Sequence, residues 1–471
     1  MLNPDIINSK SQTEILTHFA YDISIEKVPL SALKATLKAL LDNIGCTIGG
    51  ANTSIAKASE KMVKELGGTN QSTVMGRKYK TSMALAAYQN GIQANALDYD
   101  DAFENDGKGM GHPGSTIIPT AIAVGEKVCA SGEEILSAIV AGYEVTNRII
   151  QAIQPTPKRH KQVWGVAVHQ SFGSAIVASK LMKLSLEQLR NAFGLAATFS
   201  TLPAARKWNW RDRPLSSTKD MTALPAEAGV RAAILAENGW QGSRDILDGP
   251  SGFWIMAGSD RCNFEYLTNQ LGTRWTVEEL SFKPYPACRW VHSALEATEI
   301  IIKQNKLKLS NIARVDVGTF EDVVTLFNDP RPKSMVDAEF SLQWPMAMVL
   351  LGIPKGPKWY SKSILRDPKA HAVADIIHSY KEKEAQRRHF SDERKTMSVV
   401  TIRTTDKRSF SHRVLVARGG TNHPWSSKEI TNKFCQLVEP YLGRKKTNEV
   451  IDILLNFKDV KNLSQFCKLL R

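Results

Sequence analysis

Between residues 93 and 119 the chain places Asp98, Asp100 and Asp101 within four positions, then Gly107, Gly109 and Gly111, then His112 and Pro113. Carboxylates this close repel one another, so a fold retains them where a cation, a hydrogen-bond network or a proton transfer makes use of them. The glycines let the backbone turn back, which would return His112 to the carboxylates as an acid/base partner. The same residues also suit a helix end with solvated acids and an exposed turn.

Two further stretches carry chemistry-bearing side chains. Ser216-Ser-Thr-Lys219 precedes an alanine-rich helical segment, a corner that can bind an anion, although a lysine beside a helix start is ordinarily just solvated. Lys283-Pro-Tyr285-Pro-Ala-Cys288-Arg289-Trp-Val-His292 gathers four polar side chains on a backbone stiffened by two prolines. A stiff domain junction would explain the prolines but not the polar groups, and a junction cleft is a favoured place for a ligand.

The elements that must position these residues change character along the chain. Leu30, Leu33, Leu37, Leu40, Leu41 and Ile44 recur at spacings of three and four, which predicts a helix stopped by Gly49-Gly50. Ser131-x-x-Glu134, Ser185-x-x-Gln188 and Ser426-x-x-Glu429 are capping-box patterns ahead of amphipathic runs. From about residue 273, the segments 312–320, 397–404 and 409–416 are rich in β-branched or alternating residues, as strands are. The fold class is therefore mainly α, with a helical domain in residues 1–272, a smaller α+β domain in 273–420 and a return to helix in 421–471.

A chain of 471 residues with 42% hydrophobic and 23% charged residues is globular and long enough for two domains. Its net charge of +14 would attract polyanions, but the basic runs Lys158-Arg159-His160-Lys161 and Arg444-Lys445-Lys446 are short and lack interleaved aromatics, which argues against nucleic acid. The six cysteines lie far apart with no Cys-x-x-Cys, so no zinc or iron–sulfur spacing is present and reduced thiols of an intracellular, cytoplasmic protein are expected. No stretch approaches the length of a membrane span, and Asn8 to Ser11 are polar where a signal core would sit.

Taken together, Leu97-Asp98-Tyr-Asp100-Asp101 followed by Gly111-His112-Pro113, Lys219 ahead of its helix, Asp248-Gly-Pro-Ser-Gly252-Phe253, Lys283-Pro-Tyr-Pro-Ala-Cys288 with His292, and Ala338-Glu-Phe-Ser341-Leu resemble, in order and interval, the 2-methylcitrate dehydratase family, also called MmgE/PrpD. The resemblance spans nearly the whole chain. It implies a large helical domain built from both chain ends, an inserted α+β lid, a homodimer, and cofactor- and metal-independent chemistry on small polycarboxylates, as in 2-methylcitrate dehydratase, cis-aconitate decarboxylase and iminodisuccinate epimerase. Each of those reactions builds negative charge on a carbon beside a carboxylate, so carboxylates must be neutralised and an acid or base placed at that carbon.

The resemblance assigns His112 as principal acid/base, Asp98 as its orienter or a substrate contact, and Lys219 and Lys283 as carboxylate-binding and polarising cations. His292, Tyr285 and Asp101 complete the implied substrate-binding set. Three positions depart from what the decarboxylases resemble: Ala102 replaces a threonine, Trp344 a tyrosine, and His169 is displaced from an expected aromatic-His motif. The first expectation is a hydro-lyase on a 2-methylcitrate-like acid. The alternatives are a decarboxylase or epimerase on a related acid, and a family member without catalysis that binds an acidic ligand or a protein.

Overall fold

Helix Leu30–Gly50 shows how the apolar spacing is used: Leu40, Leu41, Ile44 and Ile48 are buried together, and the helix stops where it meets a neighbour. A Cβ on Gly50 would stand 2.0 Å from the Gln93 carbonyl oxygen, so only glycine lets helix Met83–Asn95 come that close. The structure is a computed structural model that describes residues 11–105, 108–163, 167–202, 212–215 and 222–471.

The chain is mainly α. Helix Ala223–Glu237 packs on Gln170–Leu181, Leu186–Thr198 and Met83–Asn95. Small residues set the spacing, since a Cβ on Gly229 would lie 2.4 Å from the Ala175 nitrogen. All three capping boxes form, at Ser131 with Glu134, Ser185 with Gln188 and Ser426 with Glu429. The two ends of the chain meet: helix Ser427–Leu455, kinked at Gly443, lies on Leu30–Gly50 with Phe434 against Gly45 and Leu437 against Gly49.

A four-stranded sheet follows the order Ile377–Lys381, Ile312–Thr319, Ser398–Thr404, Ser409–Val414. Three of these are the strands expected from β-branched texture. The fourth, Ile377–Lys381, pairs in parallel with Ile312–Thr319 and has only Ile377 buried, so its sequence lacks the alternation that marks a half-buried strand.

The stretch after Asp101 differs from expectation. A turn made by successive glycines was expected, but Ala102–Asn105 and Lys108–Gly111 form an antiparallel hairpin, with Gly109 and Gly111 inside the second strand. Ladder hydrogen bonds bring the chain back here, and Gly107 lies outside the described residues. Among the described residues no helix is long and apolar enough to cross a membrane.

Candidate active site

Helix Met83–Asn95 ends just before the acidic segment, and Asp98 sits at φ 47, in the left-handed region that few non-glycine residues adopt. Such a residue breaks the regular backbone ladder, so neighbouring carbonyls need other donors. Lys283 Nζ donates to both the Asp98 carbonyl, at 3.0 Å, and its Oδ1, at 2.6 Å. Strand pairing explains how Lys283 arrives: Ala102 and Phe103 pair with Ser281 and Leu280, which brings the chain beyond Ser281 to the acidic segment.

The three carboxylates are separated by their partners. Asp98 takes Lys283. Asp100 accepts from Asn95 Nδ2 at 3.0 Å and lies 3.4 Å from His112 Nδ1, while Asp101 accepts from the Tyr143 hydroxyl at 3.1 Å. Asp101 also fills the space that any side chain on Gly114 would need, because a Cβ there would stand 1.8 Å from its Oδ1. Burial pushes all such groups up, but the charges of His112, 3.4 Å away, and of Lys283 outweigh it at Asp100 and hold that carboxyl below the ordinary value. At Asp101 burial and the charge of Asp100 win, and the carboxyl is pushed well up. Environment alone thus pushes the pKa values of two adjacent acids apart.

Asp98, His112 and Lys283 therefore come together, and of these His112 is the one that solvent reaches, its side chain being 13% exposed against 2% or less for the other two. His292 lies behind them, fully buried, its Nε2 2.9 Å from the Ala287 carbonyl and its Nδ1 3.4 Å from Arg289 Nη1. Burial and the charges of Arg289 and Lys283 push its pKa well down, so this ring is neutral. Both of its nitrogens have protein neighbours, which leaves no donor for substrate in this arrangement. Tyr285 is likewise turned elsewhere, donating to Glu299 at 2.7 Å. Lys219 lies outside the described residues.

The three departures also have places. Ala102 is buried at the start of the hairpin, and Trp344 is buried with its indole nitrogen donating to the Trp359 carbonyl. His169 is fully buried at the start of helix Gln170–Leu181, with neither ring nitrogen hydrogen-bonded among the described residues, and burial lowers its pKa to about 3. A cavity of about 470 Å³ runs along the hairpin, lined by Asn105, Lys108 and Met110 with Gln154, Arg261 and Asp392, and none of the clustered residues lines it.

One donor set among the described residues could gather a metal ion: Asp98, Asp100 and His112 each bring an atom within 4.8 Å of the others. The Lys283 ammonium already occupies a cation's place at Asp98, so an ion there would have to compete with it.

One participant escaped the sequence: Lys433 pairs with Asp42 at 2.7 Å and donates to the Tyr99 carbonyl. Arg289, already among the polar groups of the proline-framed stretch, pairs with Glu104 at 2.9 Å. Lys433 had a signal: it interrupts the apolar stripe of Ile430, Phe434, Leu437 and Val438.

The MmgE/PrpD N-terminal domain matches residues 14–264 and the MmgE/PrpD C-terminal domain matches residues 285–459. Cis-aconitate decarboxylase of Mus musculus is 25% identical over 482 residues, covering 98% of this chain and 94% of that protein. The Homo sapiens and Aspergillus terreus proteins of the same name are 23% and 22% identical, each over 98% of this chain and over 95% and 96% of their own lengths.

Proposed function

We infer the function from one premise: this chain belongs to the MmgE/PrpD family, and we propose that it is a lyase acting on a small polycarboxylate. The carrying observation is the Lys283–Asp98–Asp100–His112 cluster, in which a buried ammonium and a solvent-reachable imidazole flank a segment of carboxylates. His112 is the acid/base. Asp100 at its Nδ1 stabilises the imidazolium, so the proton would travel through the other ring nitrogen. Lys283 spends two of its three donors on Asp98, and because it is fully buried, offering the third to a substrate carboxylate requires the site to open. Lys219, Asp101, Tyr285 and His292 keep the roles the resemblance implies only as proposals, and the last three require a shift from the positions described above.

Within this reading we favour dehydration of a 2-methylcitrate-like hydroxy acid. A base takes the proton from the carbon beside a carboxylate, the hydroxyl on the next carbon leaves as water after accepting a proton, and a C=C bond forms. Buried Ala102 and committed Trp344 supply neither hydroxyl that the decarboxylases are expected to use, which favours this over decarboxylation. Decarboxylation is the second reading, favoured by the names of the relatives. There carbon dioxide leaves with its bond pair on carbon, and His112 delivers the proton. Both readings keep a homodimer, no cofactor, and residues 273–420 as a lid over the helical domain.

The test is proton NMR in D₂O of wild type and His112→Ala with 2-methylcitrate, citrate and cis-aconitate. Loss of water from a hydroxy acid, reduced by ~10²–10⁴ in the variant, is expected. Carbon dioxide release from cis-aconitate alone would select the second reading, and an unimpaired His112→Ala would remove the acid/base assignment.

A further inference from the structure

We propose that Lys433 is a positioning residue that holds the Asp98–Asp101 segment in place from the C-terminal helix, an inference that rests on the reading of that segment as catalytic. Consecutive peptide carbonyls carry it. The left-handed turn at Asp98 leaves the carbonyls of Asp98 and Tyr99 with no backbone N–H donor among the described residues. Each instead receives a buried ammonium: Lys283 donates to Asp98 O at 3.0 Å and Lys433 to Tyr99 O at 2.5 Å.

Lys433 is placed for this on three counts. It is 3% exposed, its nitrogen lies 3.9 Å from the centre of the Tyr99 ring, and it pairs with Asp42 at 2.7 Å. Asp42, 1% exposed, belongs to helix Leu30–Gly50, against which the Lys433 helix packs. The segment is therefore tied to two helices from opposite ends of the chain. A charge so deeply buried is costly to keep, and replacing such a pair with apolar groups is often neutral or stabilising, so stability alone does not account for it. The Tyr99 carbonyl is the group that would lose its donor.

The test separates the ion pair from the donor. Lys433→Met strands the Asp42 charge and is expected to lower the melting temperature. The double variant Lys433→Met/Asp42→Asn removes both charges and should recover much of that loss, while the Tyr99 carbonyl stays without its donor. In the double variant we expect backbone amides of residues 98–101 to exchange with deuterium at least about tenfold faster, with helices Leu30–Gly50 and Ser427–Leu455 unchanged. On whichever of 2-methylcitrate or cis-aconitate wild type consumes, kcat should fall at least about tenfold and KM change by less than about threefold. Wild-type exchange and wild-type kcat in the double variant would overturn the proposal. If wild type consumes neither acid, the two named reactions have failed and the exchange data still decide Lys433. Should the double variant not fold, Asp42→Asn decides: it keeps the lysine donor, so wild-type exchange at residues 98–101 is expected, and faster exchange there overturns the assignment.

Discussion

Two buried lysine–aspartate pairs hold the same short segment, and they are alike in geometry: Lys283–Asp98 at 2.6 Å and Lys433–Asp42 at 2.7 Å. They differ in what lies beside them. The Lys283 pair sits in the cluster with Asp100 and His112, whose imidazole reaches solvent, whereas the Lys433 pair faces the Tyr99 ring and the packed junction of two helices. On the proposed reading, like ion-pair chemistry serves handling of substrate charge in one place and placement of backbone in the other. Burial and pairing alone do not mark a catalytic lysine; proximity to a group that substrate can reach does.

The comparison breaks if the two lysines lose function in the same way. Lys283→Met should be the most damaging substitution, lowering kcat/KM by ~10³ or more through lost carboxylate binding and a displaced Asp98, and costing about 3–5 kcal/mol of stability because Asp98 is left as an uncompensated buried charge. Lys433→Met should cost similar stability with a smaller loss in kcat/KM. Urea unfolding with steady-state kinetics on both variants checks this, and equal kinetic losses at equal stability would erase the distinction.

The adjacent acids sharpen the same contrast on a smaller scale. Asp100→Asn removes the carboxylate at His112 and should lower kcat about 10²-fold, while Asp101→Asn resembles the neutral acid that its environment favours and should cost less than about fivefold. Stability against pH gives the sign. Asp100 has its folded pKa below the ordinary 3.8, so its contribution is present above that value and lost as pH falls through the folded one. Asp101 has its folded pKa raised, so its contribution is full below 3.8 and declines as pH rises toward the folded value. Denaturant unfolding in pH steps should therefore show Asp101→Asn flattening the decline above 3.8, and Asp100→Asn flattening the loss below it.

Local signals in the sequence were legible because local physics produces them. The capping boxes, the Leu30–Gly50 helix and three strands follow from side-chain spacing and cap chemistry within a few residues. Asp98, Asp100 and His112 were legible as a group for the same reason, since a hairpin of adjacent residues closes them. Lys283 was picked out only by its proline-framed motif and the family resemblance, because its place depends on Ala102 pairing with Ser281, a long-range register that no local pattern encodes. Lys433 is more distant still. A lysine on an apolar stripe signals a buried partner but does not say which one, and here the partners are Asp42 and the Tyr99 carbonyl. His292 and Tyr285 show the converse: polar residues near a motif in sequence had their polar atoms taken up by Ala287, Arg289 and Glu299.

Tyr285 therefore gives the smallest expected effect and a clean limit on the comparison. Tyr285→Phe removes one hydroxyl that donates to Glu299 and leaves the ring in place beneath the Lys355 ammonium. Glu299 keeps Lys355 at 2.9 Å and is partly exposed, so it is not stranded as a buried charge. The cost should be about 1 kcal/mol of stability, with kcat/KM within about twofold of wild type, read by urea unfolding and steady-state kinetics. A loss beyond about tenfold with stability intact would mean that the phenol swings from Glu299 to the substrate when the site is occupied. Tyr285 would then belong with Lys283 and His112, and the boundary between groups that hold the segment and groups that touch substrate would move outward to include it.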